Sequence, residues 1–427
     1  MRDLPFTLPA LAAAYGAGIR PAEVVAEVYR RLAAVDDPGI FIALRPQAEV
    51  VAEAEALGDF DPSKPLFGVP FAVKDNIDVA GLPTTAACPD FAYAPERDAF
   101  VVAKLRAAGA IVVGKTNLDQ FAAGLVGLRT PYPVPRNALD PAIVPGGSSS
   151  GSGVVVAHGA VAFALGTDTA GSGRVPAALN NIVGLKPSLG SLSASGVVPA
   201  CRSLDTVSVF AMTVDDAFAV YEVAAGFDAA DAWSRRMAAP ARVMLDPGLR
   251  VGVPDAASIE FFGDGVQAVS FAASVGRIAA LGAEVVPVDF SPFYAVARML
   301  YEGAWIAERH AVLEDRLRER PETVHPVTRS IVAKAEGLTA TDAFRGLYRL
   351  KELIRAAEPA LTAVDLFCVP TIPTFYTVDD LAADPIGPNA RLGTYTNFVN
   401  LMDLCGLAVP VAARADGRPG GVTLLAA

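Results

Sequence analysis

Two serines and one lysine in this chain could together perform acyl transfer. Ser148 lies in Pro145-Gly-Gly-Ser-Ser-Ser-Gly-Ser-Gly153, and Ser172 in Gly166-Thr-Asp-Thr-Ala-Gly-Ser-Gly-Arg174. Each occupies a glycine-rich loop, and an apolar run separates them. A serine hydroxyl is a weak nucleophile and needs a base within hydrogen-bond reach. Histidine is the common base, but the chain has only three: His158, His310 and His325. His158 sits in an apolar run as a core residue does, His310 on a predicted helix, and His325 in a loop before Pro326. None is placed for a Ser-His-Asp triad. Lys74, which closes the apolar run Leu66-Phe-Gly-Val-Pro-Phe-Ala-Val73, is the alternative base. A lysine accepts a proton only when neutral, so burial must pull its pKa down from about 10.4. Taken alone, Lys74 could equally be a strand-end lysine reaching solvent.

Two other motifs match by letter and fail by physics. Gly109-Ala-Ile-Val-Val-Gly-Lys115-Thr116 fits the phosphate-loop pattern. Its interior is β-branched and stiff, whereas a phosphate cradle needs a backbone free to turn its N–H groups inward. Lys115 is therefore read as structural. Gly147-Ser-Ser-Ser-Gly151 fits the nucleophile-elbow pattern, but Pro145 and Gly146 stand where a strand should precede it. Ser149, Ser150 and Ser152 are read as loop and cap residues.

The joint motifs resemble the amidase signature family. The resemblance rests on Gly146-Gly-Ser148-Ser-Ser-Gly, on Gly166 to Arg174, on Val183-Gly-Leu-Lys-Pro187 and on Gly68-Val-Pro-Phe-Ala-Val-Lys74-Asp-Asn. It implies that Ser172 is the acylated nucleophile, Ser148 a bridging serine on a cis peptide bond and Lys74 the general base. It also implies an oxyanion hole built from the backbone N–H groups of Thr169, Ala170, Gly171 and Ser172. No cofactor or metal is implied. Within the family, Phe121 to Tyr132, Gly173 to Asn181, Gly196 to Asp205 and Leu300 to Arg309 are similar to the allophanate hydrolase branch. By that similarity Tyr301 and Arg309 hold the carboxylate of a small anionic amide, allophanate, which loses its terminal amide as ammonia in urea degradation. A planar guanidinium suits a carboxylate. The open alternatives are packing for Tyr301 and an ion pair with Glu302 for Arg309. Arg174 is a candidate substrate contact, or a brace acting through Asp168. Two functional alternatives remain: another small-amide amidase of carboxybiuret or malonamate type, and a glutaminase-like component of an amidotransferase.

These residues need a scaffold. Helices are expected at Thr7 to Tyr15, from Pro21, at Ala99 to Ala108 and at Val266 to Leu281. Strands are expected at Leu66 to Val73, Ile111 to Val113, Val161 to Leu165, Ile182 to Leu185, Val251 to Val253, Ala283 to Phe290, Leu366 to Val369, Leu407 to Ala412 and Val422 to Leu425. One long amphipathic helix is expected from Pro292 to Arg318. On such a helix eight residues advance about 12 Å, so Tyr301 and Arg309 could share a small ligand only if their side chains reached toward each other or the helix were distorted. The fold class is α/β: an amidase signature fold with a mixed central sheet and helices on both faces, in three layers. Residues 1–60 read as an N-terminal helical segment and 61–427 as the amidase domain, with an excursion at 224–250. The resemblance implies a further C-terminal domain that these residues do not contain.

Composition narrows the partners. The chain has 427 residues, is 52% hydrophobic and carries a formal charge of −11. The acidic balance, with no basic cluster, argues against nucleic acid. The longest uncharged apolar run, near Val154 to Leu165, falls short of the roughly 20 residues a bilayer needs. Cys88, Cys201, Cys368 and Cys405 are widely spaced, with no CxxC, which fits four separate thiols in a reducing cytoplasm. The resemblance implies a homodimer.

Overall fold

Eleven strands form one mixed sheet among the residues described by the computed structural model, 3–241 and 248–427. They are β1 (Phe41–Leu44), β2 (Pro70–Lys74), β3 (Ile111–Thr116), β4 (Phe163–Asp168), β5 (Val183–Lys186) and β6 (Thr206–Ala211). β7 (Arg250–Pro254), β8 (Glu284–Val288), β9 (Leu366–Pro370), β10 (Cys405–Val411) and β11 (Gly420–Ala426) complete the set. Their order across the sheet is β1-β3-β2-β4-β6-β5-β10-β11-β9-β7-β8. β2 lies parallel to both neighbours, β3 and β4, and β7 lies parallel to β8 and β9. The strands between them pair antiparallel.

β2 and β4 are buried along their whole length. That is why they read as unbroken apolar runs rather than alternating ones, as strands covered on both faces do. Phe71 of β2 stacks on Phe163 of β4 with ring centroids 4.8 Å apart. Helix Ser150–Ala157 packs across β2 and β4, and helix Val214–Ala224 across β5 and β6. A second core gathers Phe293, Phe367 and Phe398 beneath the other half of the sheet, each of the outer rings 5.3 Å from Phe293.

The expected strands and helices appear with ends shifted by a few residues, with one exception. The long helix expected from Pro292 to Arg318 is two helices, Ser291–Glu302 and Trp305–Glu319. Gly303 ends the first in an extended conformation (φ −124°, ψ −160°). A Cβ there would lie 2.9 Å from the Met299 carbonyl oxygen, so glycine is what permits the bend. Residues 3–60 form helices Leu8–Gly16, Pro21–Val35 and Gln47–Glu55, but they also supply β1, which pairs with β3. The excursion expected at 224–250 has neither helix nor strand from 225 to 241, and its part at 242–247 lies outside the described residues. Gly109 to Thr116 is no phosphate loop. It leads into the buried strand β3, where Lys115 pairs with Asp75 at 3.2 Å, both side chains fully buried. Among the described residues no cysteine is paired, and no helix is long and apolar enough to cross a membrane.

Candidate active site

Lys74 is the last residue of β2, so its side chain leaves the carboxyl end of a strand enclosed by parallel neighbours. It is fully buried. Nζ donates to Ser148 Oγ at 2.7 Å and to Thr167 Oγ1 at 2.8 Å. Burial lowers the Lys74 pKa to about 7, against the opposing pull of the Asp119, Asp205 and Asp168 carboxylates. Near neutral pH, then, a large fraction of the amine is free of its extra proton. The solvent-reaching alternative for Lys74 is excluded by this burial.

Ser148 is held by its backbone. The Gly147–Ser148 peptide is cis. The Ser148 carbonyl accepts the Asp119 N–H at 3.0 Å, and Gly147 N–H donates to the Leu125 carbonyl at 2.9 Å. A Cβ on Gly147 would lie 2.1 Å from Asp119 Oδ2, so no other residue fits beside Ser148. The neighbouring serines brace the loop, as expected of them. Ser149 stands at the N-cap of helix Ser150–Ala157, and its Oγ donates to the Thr167 carbonyl at 3.2 Å. Ser152 Oγ donates to the Leu165 carbonyl at 2.9 Å.

Ser172 follows β4 in a tight turn, 2% exposed, with Oγ directed to the Gly124 carbonyl at 3.5 Å. Ser148 and Ser172 make no hydrogen bond to each other in this conformation. Gly171 has φ +146°, and a Cβ there would meet Thr396 Oγ1 at 2.4 Å. The N–H groups of Thr169, Ala170, Gly171 and Ser172 engage no other protein group among the described residues. They are therefore available as donors for a developing oxyanion, each worth on the order of 3 kcal/mol in a transition state. Thr169 is pinned through its hydroxyl, which donates to Asp205, while Asp205 also accepts from Ala200 N–H at 2.8 Å. Burial raises the Asp205 pKa to about 6.

Arg174 is a brace. Its guanidinium is fully buried and grips Asp168 with two bonds of 2.9 and 3.0 Å, while Nη2 also reaches the Thr396 carbonyl at 3.2 Å. This ties β4 to the segment that packs on Gly171, as the bracing alternative for Arg174 expects, while its buried Nη1 has no hydrogen-bond partner. The planar donor fork explains why arginine rather than lysine stands here.

Tyr301 and Arg309 come together because of the break at Gly303. The Arg309 guanidinium carbon lies 5.3 Å from the centre of the Tyr301 ring. Arg309 is 4% exposed and its buried Nε has no hydrogen-bond partner. No ion pair with Glu302 forms among the described residues, which sets aside that alternative. Arg129, also buried, lies in the same electrostatic neighbourhood as Tyr301 and Arg309. Burial lowers its pKa, and Asp119 opposes that shift.

Several members of the site have no motif of their own. Thr167, the second partner of Lys74, stands unremarked inside the stretch that carries Ser172. Asp119 accepts from the N–H groups of Gly127 and Arg129, and Asp205 from those of Ala200 and Cys201, contacts that hold loops and follow no motif. The histidines stay outside: His158 ends helix Ser150–Ala157, His310 lies within helix Trp305–Glu319, and His325 caps helix Pro326–Val332. No group of three or more His, Cys, Asp or Glu side chains among the described residues could hold a metal ion.

The Amidase family model matches residues 23–427. Urea amidolyase of Saccharomyces cerevisiae is 48% identical over 364 residues, covering 84% of this chain and 20% of that protein. The structure of Kluyveromyces lactis allophanate hydrolase superposes with a TM-score of 0.92 at 41% identity, covering 98% of this chain and 69% of that one. The A-type component of the glutamyl-tRNA(Gln) amidotransferase of Nitratidesulfovibrio vulgaris is 34% identical over 445 residues, covering 95% and 90% of the two chains. The chain thus spans about a fifth of the urea amidolyase it matches.

Proposed function

The chain belongs to the amidase family, and from that premise we propose that it hydrolyses the terminal amide of allophanate, urea-1-carboxylate, releasing ammonia. The observation that carries the substrate assignment is Arg309. A guanidinium that is 4% exposed, with an unpartnered Nε beside a tyrosine ring, is built to receive an anion. The relatives named for urea amidolysis and allophanate hydrolysis point to the same anionic amide.

In this reading the neutral amine of Lys74 accepts the Ser148 proton, and Ser148 takes the proton of Ser172 as Ser172 Oγ attacks the amide carbonyl carbon. For this, Ser172 must turn from the Gly124 carbonyl toward Ser148. The carbonyl oxygen becomes an oxyanion facing the N–H groups of Thr169 to Ser172. The proton held on Lys74 returns through Ser148 to the departing nitrogen, the C–N bond breaks, and ammonia leaves. Water then attacks the acyl-enzyme ester, giving its proton to the same relay, and the acid product is released as Ser172 recovers its hydrogen. Tyr301 and Arg309 hold the substrate carboxylate throughout. No cofactor is required.

Two other readings of the same machinery are a small-amide amidase for carboxybiuret or malonamate and a glutaminase-like component of an amidotransferase. The second draws on the 34% identity to such a component. Ammonia release from allophanate, biuret, malonamate and glutamine separates them, and a preference for any of the last three overturns the substrate assignment. We also take the protein to be a cytoplasmic homodimer. Phe344, Leu347 and Tyr348, which stand exposed on one helix, offer an apolar surface for a second copy.

A further inference from the structure

We propose that Glu308 is a positioning residue that fixes the distance between the Arg309 guanidinium and the oxyanion turn, and so sets which carboxylate-bearing amides the site accepts. This rests on the reading of Arg309 as the carboxylate-binding residue. Glu308 precedes Arg309 in the first turn of helix Trp305–Glu319. Its Oε1 accepts the Ser203 N–H at 2.6 Å, and its Oε2 accepts from Ser203 Oγ at 2.6 Å and from Cys201 Sγ at 3.0 Å.

The loop it grips is the loop that controls the oxyanion turn. Asp205, two residues beyond Ser203, accepts from the N–H groups of Ala200 and Cys201 and from the hydroxyl of Thr169. A continuous line of bonded groups therefore runs from helix Trp305–Glu319 through Glu308, Ser203, Cys201 and Asp205 to Thr169. Its two ends adjoin the groups that meet the two ends of one small substrate: Arg309 follows Glu308, and Thr169 begins the oxyanion turn. The break at Gly303 makes such a tie necessary, because the helix carrying Arg309 is no longer a rigid extension of the one carrying Tyr301. Charge-assisted bonds of 2.6 Å are strong enough to hold a helix terminus against a loop. Trp305 and Ile306, both buried, anchor the same turn by packing, so the carboxylate is not what keeps the helix folded.

The test is steady-state kinetics of Glu308→Ala, Glu308→Gln and Ser203→Ala on allophanate and malonamate, beside Arg309→Ala as reference. Loss of the tie misplaces Arg309 without touching the relay, so KM for both substrates should rise roughly tenfold in Glu308→Ala. In the same variant kcat should stay within about threefold. Glu308→Gln keeps one acceptor for the Ser203 N–H and should recover part of the loss, and Ser203→Ala should fall between. The KM ratio between the two substrates should also change, because their carboxylates sit on differently shaped linkers. An unchanged KM in Glu308→Ala, with Arg309→Ala raising KM, overturns the positioning role and leaves the carboxylate reading intact. An equal fall in kcat and kcat/KM with no change in KM makes Glu308 merely structural and also overturns it. If Arg309→Ala itself leaves KM unchanged, it is the carboxylate reading that fails. Should Glu308→Ala not fold, Glu308→Gln and Ser203→Ala decide the matter by the same KM and kcat criteria.

Discussion

Lys74 Nζ and Ser148 Oγ lie 2.7 Å apart inside the protein, and the amine titrates near neutrality because it is fully buried. A base with a pKa of about 7 is active in its deprotonated form, so activity is lost as pH falls. The value of kcat/KM should climb between pH 6 and 8 with a midpoint near the Lys74 pKa of about 7, and level off above it. A profile flat from pH 6 to 9 would remove Lys74 from the role of base.

The same burial carries a stability cost. The folded-state pKa of Lys74 falls from 10.5 to about 7, so between those values the unfolded chain binds a proton that the folded one does not. Stability therefore rises with pH across that window, and below it the penalty of burying the amine is felt in full. Lys74→Met should lose activity by about three orders of magnitude or more yet melt at a higher temperature than wild type at pH 7. The difference should shrink toward pH 10. Lys186, buried with a pKa lowered to about 8, contributes to both proteins and cancels from the comparison. A variant less stable than wild type at pH 7 contradicts this account.

Asp205 acts on the site in two ways. Its carboxylate holds Thr169, and its charge favours the protonated form of Lys74. Asp205→Asn should lower kcat by roughly ten- to a hundredfold through a loosened oxyanion turn. It should also move the acid limb of the pH profile to lower pH, since a negative charge near Lys74 is gone. A limb that stays in place would mean that the charge of Asp205 does not reach the amine.

Arg174 grips the buried Asp168 carboxylate with two bonds. Arg174→Ala would strand the buried Asp168 carboxylate and should cost about 3–5 kcal/mol of stability in chemical denaturation. Arg174→Lys supplies one charge but not the fork, and should recover only part of that loss. If Arg174→Ala instead raised KM without destabilising the fold, a direct substrate contact would be restored.

What was legible in the chain was whatever the chemistry keeps local. The loops of Ser148 and Ser172 announce themselves through glycines that the backbone cannot replace, as at Gly147 and Gly171. Lys74 was legible because a strand buried on both faces is an apolar run that ends abruptly in a charge. Thr167 and Glu308 were not. Thr167 meets Lys74 across 93 residues of chain, and Glu308 meets the Cys201–Ser203 loop across 105 to 107, and no local pattern records such contacts. The break at Gly303 was hidden because both flanking helices carry buried apolar residues at helical spacing, Phe293, Val296 and Leu300 before it and Ile306 and Leu313 after it, so the apolar period runs through the bend. β1 is only four residues long and partly exposed, too short for alternation to emerge. Helix Ala340–Ala363 turns Phe344, Leu347 and Tyr348 outward, which scrambles the stripe that would have marked its buried face.

The central claim is that Ser172, served by Ser148 and Lys74, cleaves the terminal amide of allophanate. The most direct measurement is ammonia release by the purified protein supplied with allophanate, beside Ser172→Ala. The account predicts steady release from allophanate in preference to biuret, malonamate and glutamine, and none from Ser172→Ala. Release that persists in Ser172→Ala, or wild-type protein that leaves allophanate untouched, would contradict it.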